Sequence, residues 1–146
     1  MALSIKPYIE NKERIHLIGV SMNSLGELLL SRGVPISGSD RLRTDVTARL
    51  EALGAKITYE HKPENVEGAS LIVRTAAVHD ENPEIVRAHE LGIPVMERAE
   101  AWGHLMRDYD NVVCLAGTHG KTTSTSMMTL MTMEAQMDPT VMVGSN

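Results

Sequence analysis

Ile15-His16-Leu17-Ile18-Gly19-Val20 is an apolar run, interrupted by one histidine, that reaches a glycine near its end. Short apolar runs bounded by a turn residue mark a strand buried on both faces. The period then changes. Met22, Leu25, Leu28 and Leu29 recur at helical spacing, and Gly33 supplies a stop. Working outward, residues 35–40 read as a second strand that turns polar at its end. Asp45 is expected to cap a helix with Val46, Leu50 and Leu53 on one face, closed by Gly54. Residues 56–59 and 70–74 read as further strands, the latter entering the small-residue loop Thr75-Ala76-Ala77. Asn82-Pro83-Glu84 combines a capping residue, a proline at the first helical position and an acid near the positive helix end. Residues 93–96 form the next strand, and Ala99, Trp102, Leu105 and Met106 the next helical face.

Strands alternating with helices in this way predict an α/β fold, a Rossmann-like parallel sheet with helices on both faces. Right-handed crossovers gather the strand-to-helix loops along one edge of such a sheet, and ligands bind there. The loops after Val20, Asp40 and Arg74 are therefore expected to lie close together. Asp108-Tyr109-Asp110-Asn111 reads as a polar linker dividing a first domain, residues 1–107, from a second, residues 108–146. The second opens with the apolar run Val112-Val113-Cys114-Leu115-Ala116, read as a buried strand, then a glycine-rich turn and a long helix from about Lys121. That is the strand–P-loop–helix start of another α/β domain.

Bulk properties exclude several classes. A net charge of −5 over 146 residues leaves no electrostatic footprint for nucleic acid. No apolar stretch approaches the roughly 18 residues of a membrane span, and the N-terminus lacks a signal-peptide core. The single cysteine, Cys114, rules out an internal disulfide framework and fits a reducing, cytoplasmic setting. It is expected to be buried in its strand. Phenylalanine is absent while methionine reaches 10, so Met127, Met128, Met131, Met133 and Met137 are expected to fill a buried helix face. The six histidines show no metal-ligand spacing.

Gly117-Thr118-His119-Gly120-Lys121-Thr122-Thr123 is the most informative motif. Glycines let consecutive backbone N–H groups curl around phosphate oxygens. A helix start adds partial positive charge, and Lys121 can neutralise the β/γ-phosphates. Thr122 stands where this class of loop holds Mg²⁺. The strict pattern wants a glycine five positions before Gly120, where Leu115 stands. Strand, two glycines, Lys-Thr-Thr and helix nevertheless agree, so the stretch reads as a nucleotide phosphate loop rather than a glycine turn beside an incidental lysine.

This loop closely resembles the ATP loop of the Mur ligases of peptidoglycan precursor synthesis. The resemblance extends to Ile15-His16-Leu17-Ile18-Gly19, Ser37-Gly38-Ser39-Asp40, Asn82-Pro83-Glu84-Ile85 and Arg98-Ala99-Glu100, and so covers nearly the whole chain. His119 resembles the branch that joins L-alanine to UDP-N-acetylmuramate, or its relative that ligates recycled tripeptide. The resemblance implies that ATP phosphorylates the muramate carboxylate and that the amine of L-alanine displaces phosphate. It implies ATP and Mg²⁺ as cofactors and UDP-N-acetylmuramate and L-alanine as substrates. Gly117, Thr118, His119, Gly120, Lys121, Thr122 and Thr123 would bind ATP, with Lys121 the catalytic cation and Thr122 the metal ligand. Gly19, Ser21, Met22, Asp40, Thr75, Ala76 and Ala77 would line the UDP-sugar site.

Two departures qualify that picture. Gly19-Val20-Ser21-Met22-Asn23-Ser24-Leu25-Gly26 looks about three residues short of the family's glycine-rich loop, where a pair of glycines is expected. A true deletion would weaken the phosphate cradle, because non-glycine backbone approaches phosphate less closely; residues simply missing from the chain as written would leave it intact. Asp40 stands 21 positions after Gly19, close to where a dinucleotide fold places its ribose acid, yet a turn aspartate fits as well. Thr75, Ala76 and Ala77 equally fit an ordinary tight loop. Only 23 residues follow Thr123, too few for the later Mg²⁺ carboxylate and the amino-acid domain of the family. The chain is thus expected to be inactive alone. Its second domain is expected to be unstable by itself, to pack back on the first or to self-associate. A non-catalytic UDP-sugar-binding module is the competing reading; an NAD-dependent oxidoreductase fits poorly without the dinucleotide glycines.

Overall fold

The computed structural model describes residues 3–19 and 23–143, and divides them between two units, Met1–Tyr109 and Asp110–Asn146. In the first unit α1 (Lys6–Glu10) precedes β1 (Ile15–Ile18), α2 (Asn23–Ser31), β2 (Ile36–Ser39), α3 (Asp45–Ala52) and β3 (Lys56–Thr58). A 3-10 turn (Pro63–Val66), β4 (Leu71–Arg74), α4 (Pro83–Glu90), β5 (Val95–Glu97) and α5 (Arg98–Met106) follow. The five strands are all parallel in the order β3-β2-β1-β4-β5. Winding therefore runs outward from β1 in one direction through β2 and β3, then restarts on its other side with β4. The register sets Ile18 opposite Ser39 on one side and Arg74 on the other. Three strand ends are thus level at a single edge.

Helices cover both faces because strand residues alternate between them. Leu17, Leu71 and Val73 pack with Leu25 and Leu29 of α2, Leu50 of α3 and Trp102 and Leu105 of α5. Ile18 and Ile72 face the other way, against Val66, Ile85 and Ala88. β1 is buried along its whole length, as its apolar run requires. No helix among the described residues is long and apolar enough to cross a membrane.

Close strand packing explains Gly38, in the middle of β2. A Cβ there would stand 3.0 Å from the Leu17 carbonyl oxygen and 3.2 Å from Ile57. Backbone in a central strand cannot retreat. Gly38→Ala is therefore expected to cost about 1–3 kcal/mol, read as a lower urea midpoint without a change of slope.

Several local expectations are corrected. Thr44, not Asp45, caps α3: its hydroxyl accepts from the Thr47 N–H, and Thr47 reaches back to the Thr44 N–H. Thr44 has the extended backbone a cap needs, whereas Asp45 is already helical and contributes only its charge. Leu53 follows the last helical residue and is exposed, leaving Leu50 as the buried anchor. In α5 the inward face is Ala101, Trp102 and Leu105; Ala99 is exposed. Asp108 is no free linker charge, since it pairs with Lys6 and approaches Arg32 at 3.9 Å.

The second unit contains α6 (Lys121–Glu134) and, among its described residues, no strand. Residues 112–116 are exposed rather than buried, Cys114 among them. A strand exists only by pairing its backbone with a neighbour, and none of the described residues of this unit offers one. The methionine face of α6 is likewise exposed, with Met127 at 60% and Met131 at 65%. One helix and its flanking segments cannot cover their own apolar surface.

Candidate functional site

At the C-terminal end of the sheet the loops leaving β1, β2 and β4 converge. Gly19 takes φ +87°, a conformation that favours glycine, and its N–H donates to the Ser39 carbonyl at 3.0 Å. A Cβ on Gly19 would meet the Thr75 hydroxyl at 3.0 Å, so the first and fourth loops abut here. The Thr75 N–H donates to the Ile18 carbonyl at 3.3 Å, and the Asp40 N–H to that of Thr58 at 3.0 Å. The Asp40 carboxylate accepts from the N–H groups of Arg41 and Leu42, which makes it a turn-forming aspartate. Of the expected UDP-sugar residues, Gly19 and Thr75 are in contact distance. Asp40 follows Ser39, and Ala76 and Ala77 are exposed on the loop beyond Thr75. Ser21 and Met22 lie outside the described residues.

Sequence reading passed over Arg74. It ends β4 at this edge and pairs with Asp80 across the Thr75–Ala77 turn, holding the Asp80 carboxyl below its ordinary range. A charged residue closing an apolar strand was the available signal.

Glu84 was missed more completely. Read locally, it is an acid in the first turn of α4, where Asn82 caps through a 2.9 Å bond from the Glu84 N–H. In the structure its side chain is fully buried. Oε2 accepts from the Ser39 hydroxyl at 2.6 Å, and His61 Nδ1 lies 3.1 Å from both. Oε1 accepts from Asn65 Nδ2 at 2.5 Å, and the same amide group donates to the Glu60 carbonyl. His16 Nε2 stands 3.7 Å from Oε1, too far for a hydrogen bond, while its Nδ1 meets the Ser37 hydroxyl at 2.8 Å. Burial by itself pushes the Glu84 carboxyl up. The facing His16, Ser39 and Asn65 outweigh it and hold the group down at about 2.

In the second unit the loop before α6 is exposed throughout. Gly120 supplies the left-handed residue, φ +75°, that turns the chain into the helix, and the Ser124 N–H donates to its carbonyl at 2.9 Å. No side chain caps this helix start and no acid occupies its first turn. The Lys121 ammonium folds over the loop onto the Gly117 carbonyl at 2.7 Å. Gly117, Thr118, His119, Gly120, Lys121, Thr122 and Thr123 are therefore contiguous around one helix N-terminus. Helix amides without an acidic competitor, an overhanging cation and the Thr122 hydroxyl together fit a magnesium-bound phosphate chain.

The chain is 44% identical over 140 residues to the UDP-N-acetylmuramate–L-alanine ligase of Clostridium novyi (strain NT), covering 94% of this chain and 31% of that protein. It is 46% identical over 143 residues to the ligase of the same name from Clostridium botulinum (strain Okra / Type B1), again spanning 31% of it. Among solved structures, UDP-N-acetylmuramate-alanine ligase from Thermotoga maritima superposes with a TM-score of 0.79 at 32% identity, over 85% of this chain and 30% of that one. The UDP-N-acetylmuramate:L-alanyl-gamma-D-glutamyl-meso-diaminopimelate ligase from Neisseria meningitides shares the fold, with a TM-score of 0.76 at 24% identity. This chain thus spans about a third of the length of the curated relatives it matches. The model described as Mur ligase family, catalytic domain, matches residues 13–110, more than half of the chain, which belongs to the Mur ligase family.

Proposed function

We propose that this chain is the front portion of an ATP-dependent ligase that joins L-alanine to UDP-N-acetylmuramate, working in the cytoplasm. The first unit, the expected domain of residues 1–107, binds the UDP-sugar. The second, residues 108–146, supplies the phosphate loop of the ATP site. The observation that carries the reading is the junction of Gly19, Ser39 and Thr75 at one sheet edge, beside Asp40. The names of the relatives at 44–46% identity support the choice of substrates.

In this reading Gly19 lets the diphosphate approach the backbone, Asp40 and the Thr75–Ala77 loop flank the nucleoside, and Ser21 and Met22 complete the loop. Gly117 to Thr123 cradle the triphosphate, Lys121 stabilises charge on the transferred phosphoryl group and Thr122 holds Mg²⁺. When bound, magnesium-ATP supplies the phosphoryl group that activates the sugar's carboxylate. The exposed apolar residues of the second unit, Leu130 at 67% among them, support cover by further protein, including a second copy of the chain.

Thermal unfolding with candidate ligands tests the first unit directly. UDP-N-acetylmuramate or UDP at ten times Kd is expected to raise Tm by roughly 5 °C, and NAD to leave it unchanged. Stabilisation by NAD and not by the UDP compounds would overturn the reading.

A further inference from the structure

The Glu84 cluster is costly by the ordinary accounting of folding. A carboxylate withdrawn completely from water needs every lone pair matched, and apolar side chains of equal volume usually fill such a space with no loss of stability. Here the bonded partners come from three other segments: Ser39 from β2, His61 from the loop after β3, and Asn65 from the 3-10 turn, while His16 of β1, itself held by Ser37, faces the carboxylate at 3.7 Å. Such convergence specifies geometry more than it adds stability.

The geometry leads directly to the sheet edge. Ser39 is the residue whose hydroxyl donates to Glu84 and whose carbonyl accepts the Gly19 N–H. Asp40 follows it, tied through its own N–H to Thr58 at the end of β3. His61, three residues further along that connection, reaches the same carboxylate oxygen as Ser39. One buried group therefore fixes the relative heights of the chain leaving β1, β2 and β3. We propose that Glu84 is a positioning residue for the UDP-sugar site, acting through Ser39 and His61 to hold the Gly19–Asp40 edge in its binding geometry. The inference rests on the assignment of that edge to the UDP-sugar.

The test compares Glu84→Gln and Ser39→Ala with Leu105→Ala, a core change on the opposite face of the sheet, in the complete chain. Two quantities are read: amide exchange by NMR, and Kd for UDP-N-acetylmuramate by calorimetry. In Glu84→Gln the Gly19 and Asp40 amides are expected to exchange about tenfold faster, while the Ile72 amide, bonded to Pro94 across β4–β5, is unchanged. Kd is expected to rise about tenfold in the same variant. Leu105→Ala, despite an equal or larger loss of Tm, should leave Kd within about twofold, as distant sites do. If Glu84→Gln fails to fold, Ser39→Ala carries both readings, since it removes one donor and leaves Asn65 and His61 on the carboxylate. A folded Glu84→Gln that exchanges and binds like the parent overturns the proposal, as does equal weakening by Leu105→Ala. If the parent itself does not bind UDP-N-acetylmuramate while the exchange difference persists, the positioning role stands and the ligand assignment fails.

Discussion

Lys121→Ala, in a ligase of the relatives' full length carrying this sequence, is expected to reduce ATP-dependent turnover by about 10³-fold. UDP-N-acetylmuramate binding should stay within about twofold of the parent. The size of the effect follows from where the ammonium sits. It folds over the loop onto the Gly117 carbonyl, at the start of a helix whose first turn holds no acid. In that place the lysine is the one side-chain cation of the loop, and phosphoryl transfer depends on charge set in position beforehand. The change should not act through unfolding. Alanine is at least as good a helix former as lysine, and it removes a positive charge from the positive end of the helix dipole. The residue is also exposed, so no cavity is created. Steady-state kinetics beside calorimetry on the same preparations separates the outcomes. Retained turnover would remove Lys121 from phosphate chemistry. A matching loss of UDP-sugar affinity would contradict the division of labour between the two units.

The second large effect is on stability. Glu84→Ala removes the carboxylate that accepts from the buried Ser39 hydroxyl and the half-buried Asn65 amide and leaves a cavity at a fully buried position, which is expected to cost about 3 kcal/mol at neutral pH. Acid should act on the same group. Its folded carboxyl is held down at about 2, against an ordinary 4.5, so the folded state binds its proton less readily than the unfolded state does. The contribution is then complete above pH 4.5 and disappears as pH falls from there toward 2. Urea unfolding at pH 7 and at stepped acid pH measures this. The parent should lose stability steeply across that window, and Glu84→Ala, already without the carboxylate, much less so. Equal acid sensitivity in both would show that other carboxylates govern the acid limb.

Local signals carried most of the fold. β1, β4 and β5 announce themselves as apolar runs between turn residues, β2 as a strand that turns polar at its end, and the Asn82-Pro83 start of α4 is capped as expected. The convergence of Gly19 and Thr75 also followed from parallel topology alone, because right-handed crossovers place strand ends on one side. Properties that depend on distant partners were not legible. Glu84 looks like a first-turn acid because its neighbours in sequence justify that role. The residues that bury it lie 19 to 68 positions away. Residues 112–116 carry the composition of a buried strand, yet composition does not create the backbone partner a strand requires. Cys114 and the α6 methionines were placed inside for the same reason and stand outside. The Thr44 cap was obscured by chemistry of a different kind, since Thr and the adjacent Asp are both good capping residues and only backbone dihedrals separate them.

The short outer strands of the sheet limit what the first unit can join. β3 and β5 have three residues each, and they carry Lys56 and Glu97 respectively at exposed positions. A visiting strand would gain few hydrogen bonds at either border and would have to bring its own side chains past a charge. Growth of the sheet by addition of foreign strands is thus blocked at both of its margins. Polymerisation of this protein, under conditions that favour it, has to begin elsewhere, and the exposed Val112-Val113-Cys114-Leu115 run offers backbone, apolar side chains and no charge in one place.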